Sequence, residues 1–286
     1  YMLIDPSLPQ DRIMFMLNSS KCKVVITDLY LNYEHVSLDD SSSFDESLPE
    51  VRVSNDDRFC VIYTSGSTGV PKGVELKRLG VRNLINSYIH DLNIDECNNC
   101  LSTASVAFDM FLAENFVPLL CGKTVVLANE DEQKIPNFTG KLILKYNVEF
   151  IISTPSKISL LLMESNCLRN VKIIQLGGEV FKPSLYNSLK EATNARIYNS
   201  YGPSECTWAS TNKLVTDIDD VSIGEPCLHV SLYVKNHIGN ILPFNYVGEL
   251  NVCGDNVGIG YMNAMRFNGS YSTGEMAYLS PSLELC

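Results

Sequence analysis

Phe59-Cys60-Val61-Ile62-Tyr63-Thr64-Ser65-Gly66-Ser67-Thr68-Gly69-Val70-Pro71-Lys72-Gly73 is an apolar β-run that empties into a loop of small hydroxyl residues and glycines, closed by Pro-Lys-Gly. Glycine lets backbone N–H groups come close to an anion because no Cβ intervenes. Hydroxyls add neutral donors and a lysine adds a point charge. Thr64, Ser65, Gly66, Ser67, Thr68, Gly69 and Lys72 therefore form a candidate polyphosphate cradle. It is not a Walker loop, in which Lys directly follows the second Gly; here Val70 and Pro71 intervene. A flexible Ser/Gly linker fits poorly, because a buried-looking strand feeds the loop.

Outward from this segment, short apolar strands alternate with amphipathic helices. Helices are predicted over 9–19, 81–89, 111–120, 158–163 and 184–191, and strands over 23–27, 59–64, 148–153, 171–176 and 196–198. That alternation predicts an α/β fold with a mostly parallel sheet and helices. From Ile223 onward, short strands near 230–234 and 248–252 with many glycines predict a smaller β-rich subdomain, giving an α/β core over 1–222 and a β-rich part over 223–286. The polar stretch 37–50 reads as a solvated loop.

The chain has 286 residues, 45% hydrophobic and 19% charged, with a net charge of −11. This is a globular composition, and its acidity argues against a nucleic-acid binder, which needs a basic footprint. No run approaches the roughly 18–20 apolar residues of a membrane helix. The ten cysteines are scattered, several within apolar runs, which favours a reduced, cytoplasmic protein. Cys97-Asn98-Asn99-Cys100 lacks the second ligand pair a zinc site wants, and none of the four histidines sits in a motif.

The cradle resembles the phosphate-binding signature of adenylate-forming, AMP-binding enzymes, and more narrowly that of the amino-acid adenylation domains of nonribosomal peptide synthetases. Other segments match in the same order. They are Tyr1-Met2-Leu3-Ile4-Asp5-Pro6 with Pro9 and Arg12; Phe108-Asp109 with Glu114; Asn199-Ser200-Tyr201-Gly202-Pro203-Ser204-Glu205; Ile223-Gly224-Glu225-Pro226; and Gly248-Glu249-Leu250 with Gly254, Val257 and Gly260-Tyr261. The resemblance implies an adenylate-forming large-domain fold. It implies ATP-dependent activation of an α-amino acid as aminoacyl-AMP, then transfer to a phosphopantetheine arm on a carrier domain.

Carried over residue by residue, Lys72, Thr68 and Glu205 would be catalytic, with Glu205 holding Mg²⁺. Tyr201 would stack on adenine opposite Gly177, Gly178 and Glu179, with Asn199 beside it, and Glu275 would take the ribose. Asp109 would bind the substrate ammonium, although locally it reads equally well as a cap of the helix that follows. Met110, Ala113, Ser153, Ile174, Leu176, Ser200, Trp208 and Ala209 are aligned as the side-chain pocket. None is charged, so an uncharged, apolar and smallish amino acid is expected. An acyl- or aryl-CoA ligase of the same superfamily, and a non-catalytic nucleotide-binding domain, are the alternatives.

The sequence departs from the family in three places. Ser272-Thr273-Gly274-Glu275 has Glu where the family has Asp, Ile259 stands where it has Arg, and the stretch between Tyr261 and Tyr271 is short. The chain starts at Tyr1 and ends before the family's hinge, so it is expected to be the middle of a larger domain without the lid that carries a mobile lysine. By itself it is expected to hold ATP·Mg²⁺ weakly and to adenylate about a hundred- to a thousand-fold more slowly than a complete domain.

Overall fold

The computed structural model describes residues 1–29, 33–37, 50–66, 69–164, 166–217, 222–282 and 284–286. Most of the predicted loop 37–50 lies outside them. The architecture is α/β, as expected, but the large sheet is mixed. Five parallel strands run in the order β4 (Thr124–Leu127), β3 (Asn99–Ser102), β5 (Phe150–Ser153), β6 (Ile173–Gly177), β7 (Arg196–Tyr201). Two antiparallel strands, β8 (Thr211–Leu214) and β9 (Glu225–Pro226), extend it. A second sheet joins the hairpin β1 (Arg58–Thr64) and β2 (Lys72–Lys77) to β12 (Gly260–Tyr261). A third is antiparallel, with β11 (Gly248–Gly254) between β10 (Val230–Lys235) and β13 (Ser270–Ala277).

Seven helices accompany the strands among the described residues. They are α1 (Gln10–Ser20), α2 (Arg78–Asp91), α3 (Met110–Leu120), α4 (Glu130–Lys134), α5 (Pro136–Lys145), α6 (Pro155–Leu161) and α7 (Pro183–Ala192). Local chemistry sets several starts. Prolines open α5, α6 and α7, where a missing N–H costs nothing. Asn129 and Glu132 close a reciprocal capping box on α4.

The central strands are buried on both faces, so their cores separate by strand alternation. On one face Phe150, Ile152, Ile173 and Tyr198 pack with Leu84 and Tyr88 of α2 and Leu112, Ala113 and Val117 of α3. On the other, Ile151, Ile174, Leu176 and Ile197 pack with Ile158 of α6 and Tyr186 and Leu189 of α7.

The strand expected over 23–27 does not form. Among the described residues only an isolated bridge, Ile26 with Val36, is present, and Val24 and Ile26 are exposed. Their β-branched composition finds no neighbouring strand among those residues to complete a ladder. Conversely β2 went unread, because Lys-Gly-Val-Glu-Leu-Lys carries a charge in mid-strand. The structure satisfies that charge: the buried Glu75 carboxylate meets the guanidinium groups of Arg58 and, at 2.8 Å, Arg266. Arg266 lies within the short stretch after Tyr261, which Gly260 and Arg266 close by a bridge.

Phe150, wholly buried in β5 and edge-on to Tyr88 with ring centroids 6.1 Å apart, joins the sheet to α2. Phe150→Ala should cost about 3–5 kcal/mol, read as a fall in the urea midpoint at unchanged slope.

Candidate active site

The site gathers along the C-terminal ends of β5, β6 and β7 and the β1–β2 hairpin. In the loop of that hairpin, Gly66 and Gly69 take positive φ, 59° and 78°. The Gly69 N–H donates to the Gly66 carbonyl at 3.1 Å. A Cβ on Gly66 would lie 2.5 Å from the Val70 carbonyl oxygen, so the turn requires glycine there. Ser67 and Thr68 lie outside the described residues. Thr64 pairs with Lys72 across the hairpin, which returns the lysine beside the start of the loop.

Lys72 leads to the first group that the sequence alone did not bring together. Its Nζ lies 5.2 Å above the ring of Tyr261, and the Tyr261 hydroxyl donates to the Glu205 carboxylate at 2.7 Å. Tyr271 stands 3.2 Å from the Tyr261 hydroxyl. Burial, chiefly, pushes the Tyr261 phenol up to about 12. Both rings therefore remain neutral donors around Glu205 at physiological pH.

Asp109 is buried at the head of α3 and makes no side-chain capping bond, although the Met110 N–H lies against its carboxylate. Burial raises its pKa above the usual carboxylate value. The Ser204 hydroxyl opposes that shift, and the nearby charge of Glu205 reinforces it. Two buried carboxylates thus lie near enough for the charge of one to act on the other. Among the described residues neither has a lysine or arginine within ion-pair distance. Such a donor set fits cations brought by ligands: a hard metal ion at Glu205 and an ammonium group at Asp109.

At the ends of β6 and β7, the Tyr201 hydroxyl donates to Glu275, which joins two elements the sequence reading assigned to one nucleotide. Opposite, Gly178 takes φ 79°. The Glu179 carboxylate accepts from the N–H of Ser156, at 2.9 Å, and from its hydroxyl, holding the glycine turn against the start of α6. Glu179 thus braces the turn through one of its two carboxylate oxygens. Asn199 directs its amide to the Ser222 carbonyl at 3.0 Å. A Cβ on Gly202 would collide with the Trp208 carbonyl oxygen, so the Tyr-Gly-Pro turn packs main chain against main chain.

The side-chain pocket needs a correction. Met110, Ala113, Trp208 and Ala209 pack in or against the core face that carries Tyr88, and Ser200 is tied to that face by hydrogen bond. Ile174 and Leu176 do not: they sit in the opposite core with α6 and α7. A strand alternates sides with period two, so the residues of β6 on the pocket face are Gln175 and Gly177. Gln175 donates to Ser200 Oγ at 2.8 Å, and a Cβ on Gly177 would rest 3.5 Å from the Trp208 ring. Ser153 ends β5 in register with Leu176, and its buried hydroxyl has no protein partner. The clue to Gln175 was its polarity within Val171-Lys172-Ile173-Ile174-Gln175-Leu176, since a buried polar side chain in an apolar strand is rarely idle.

Beneath Asp109 on α3, Glu114 is fully buried. One carboxylate oxygen accepts the N–H groups of Thr103 and Ala104 at 2.8 and 2.7 Å, fastening the turn after β3, and the other has no partner. Lys157, on α6, donates to the Thr103 carbonyl at 3.2 Å.

The family model for AMP-binding enzymes matches residues 1–262. Gramicidin S synthase 2 of Aneurinibacillus migulanus is 32% identical over 278 residues, which cover 92% of this chain and 6% of the synthase. Tyrocidine synthase 3 of Brevibacillus parabrevis is 31% identical, over 92% of this chain and 4% of its own length. The chain thus spans less than a tenth of these relatives. Among solved structures, the nonribosomal peptide synthetase FmoA3 superposes with a TM-score of 0.90 at 24% identity, covering 100% of this chain and 34% of that one. The O-succinylbenzoate coenzyme A synthetase of Bacillus subtilis, solved with ATP and magnesium, superposes with a TM-score of 0.85 at 23% identity, covering 99% of this chain and 62% of that one.

Burial pushes Glu114 up to about 7, against the pull of the Ala104 and Thr103 N–H groups. A raised folded-state pKa means that the native state holds a proton the unfolded chain has released. The corresponding stability is full below about pH 4.5 and is lost as the pH rises through about 7. Glu114→Gln keeps an oxygen for the two N–H groups and should flatten that decline, measured by urea unfolding at pH 5 and pH 7.5.

Proposed function

Because the chain belongs to the AMP-binding enzyme family, the adenylate-forming ligases, we propose that it activates an uncharged α-amino acid with ATP for loading onto a carrier domain. The observation that carries this reading is the pair of neighbouring buried carboxylates, Asp109 and Glu205. A buried carboxylate is costly unless a cation meets it. An amino acid supplies that cation at Asp109, whereas a fatty or aryl acid leaves the charge unpaired.

Catalysis in this reading is positioning and charge neutralisation. Thr64, Ser65, Gly66, Ser67, Thr68, Gly69 and Lys72 hold the β- and γ-phosphates. Glu205 would hold Mg²⁺, which would supply charge compensation on the phosphates. Tyr201 and the Gly177–Gly178 turn take the adenine between them, and Glu275, fixed by the Tyr201 hydroxyl, faces the ribose. Asp109 anchors the ammonium so that a substrate carboxylate oxygen bonds to the α-phosphorus while the bond to pyrophosphate breaks. The products are aminoacyl-AMP and pyrophosphate. A carboxylate is already nucleophilic, so no general base is needed. In the second step a phosphopantetheine thiol gives up its proton and its sulfur bonds to the acyl carbon, releasing AMP.

We assign the core of this unit to residues 1–222 and its β-rich part to 223–286. Ten free cysteines, six of them buried as thiols, support a reducing, cytoplasmic setting. Among the described residues no helix is long and apolar enough to cross a membrane.

The test is amino-acid-dependent exchange of pyrophosphate into ATP by the protein carrying this chain together with its flanking sequence. Exchange with an α-amino acid is expected, and exchange only with aryl or fatty acids would overturn the reading. Asp109→Asn should weaken amino-acid binding by roughly 2–5 kcal/mol, seen as a raised KM for the amino acid with the KM for ATP nearly unchanged.

A further inference from the structure

A residue outside the pocket wall controls what the wall offers. Tyr88, on α2, is wholly buried. Its hydroxyl accepts the indole N–H of Trp208 at 2.8 Å and donates to Gln175 Oε1 at 2.6 Å. The Gln175 amide then has one orientation, with Nε2 aimed at Ser200 Oγ, 2.8 Å, and Asn212 Oδ1, 3.1 Å. Ser200 in turn donates to Asn212 Oδ1 at 2.6 Å, and Asn212 Nδ2 donates to the Cys227 sulfur at 3.2 Å. Each polar side chain of the wall on this face, Gln175, Ser200 and Trp208, is thereby paired within the protein.

A second observation concerns the same tryptophan. Thr207 and Trp208 both have positive φ, 55° and 71°. Bulky side chains avoid that conformation, and it persists only where surrounding contacts over-determine it. The Tyr88 bond at one edge of the indole and the Gly177 backbone beneath its ring are such contacts. The ring cannot retract to enlarge the pocket, nor turn its N–H toward a ligand.

We propose that Tyr88 is a positioning residue that sets the polarity of the amino-acid pocket, consuming the hydrogen-bonding capacity of Gln175, Ser200 and Trp208 so that the wall on this face, from which Ser153 is turned away with Leu176, shows a substrate only carbon. The proposal rests on the adenylation reading and narrows its substrate to a small apolar α-amino acid. The side chain meets Met110, Ala113, Ala209 and the fixed indole. A polar side chain of equal size would lose its water and find no partner.

Trp208 is the single tryptophan of the chain, so its emission reports ligand in the pocket whether or not chemistry follows. Valine and threonine are isosteric and differ by one hydroxyl. Each is titrated against Trp208 emission and, separately, used to drive pyrophosphate exchange by the protein carrying this chain with its flanking sequence. Valine should be favoured about a hundred-fold, the discrimination an apolar pocket achieves against an added hydroxyl. In Tyr88→Phe, Gln175 Oε1 and the Trp208 N–H lose their partner, and the preference should fall to about ten-fold or less. A merely structural role would weaken both ligands alike and leave the ratio in place.

Asn212→Ala, at a half-buried position, should move the ratio the same way by freeing the Ser200 hydroxyl, should Tyr88→Phe fail to fold. A native preference for threonine, or a ratio unchanged in the folded variants, overturns the proposal. Selective emission changes without any exchange would leave it standing and overturn the adenylation reading instead. If neither amino acid moves the emission and only aryl or fatty acids exchange, both fall.

Discussion

The parallel register of β6 between β5 and β7 is the constraint on which the site depends. Gln175 lies beside Ile152 on one side and Tyr198 on the other, and Gly177 lies beside Ser200. Because side chains alternate with period two, a slip of one residue would exchange Gln175 and Gly177 for Ile174 and Leu176. The slip would bury an amide among the apolar side chains of α6 and α7 and push branched side chains into the Trp208 ring. Two dissimilar cores, one apolar where it faces β6 and one carrying a polar network, therefore hold the strand in place from both sides.

What was legible in the sequence follows from contiguity. The glycine-rich loop and Tyr201-Gly202-Pro203-Ser204-Glu205 are continuous stretches in which each residue is fixed by its neighbours, so their identities could be read in a line. Asp109 could be named but not disentangled from a helix cap, since the same residue at the same place serves either use until its side chain is seen. The pocket wall was harder, because Ile174 and Leu176 look the part by composition, and only the face of the strand excludes them. Tyr261 and Tyr271 carried no local sign of their contact with Glu205. They reach it through a turn and a third sheet, a long-range pairing that linear reading does not see. β2 was lost for a related reason: the ion pairs that make Glu75 acceptable inside a sheet come from residues 17 positions before it and 191 after it.

The acidity of the chain takes on a local meaning at Asp109 and Glu205. Two like charges at close quarters raise each other's cost, and desolvation raises it again. Neutral phenols from Tyr261 and Tyr271 soften the field at Glu205 without cancelling it, since a hydroxyl donates a hydrogen bond but no charge. Lys72, held over the Tyr261 ring, remains one residue removed from the carboxylate instead of neutralising it. The geometry keeps a lysine over the face of one aromatic spacer and an acid at its hydroxyl.

The bridge between Gly224 and Leu285 has a topological consequence. It brings together the two ends of everything from β9 onward, so residues 225–284 form an excursion whose feet stand side by side at the edge of the large sheet. A closed lobe of this kind isolates the sheet from changes in its own length. Residues added or removed within it alter the size of a ring already shut at its base, and that entropy varies only with the logarithm of ring size. The brevity of the stretch between Tyr261 and Tyr271 is then a difference of girth within the lobe, at the place where Gly260 and Arg266 also pin the lobe to β2.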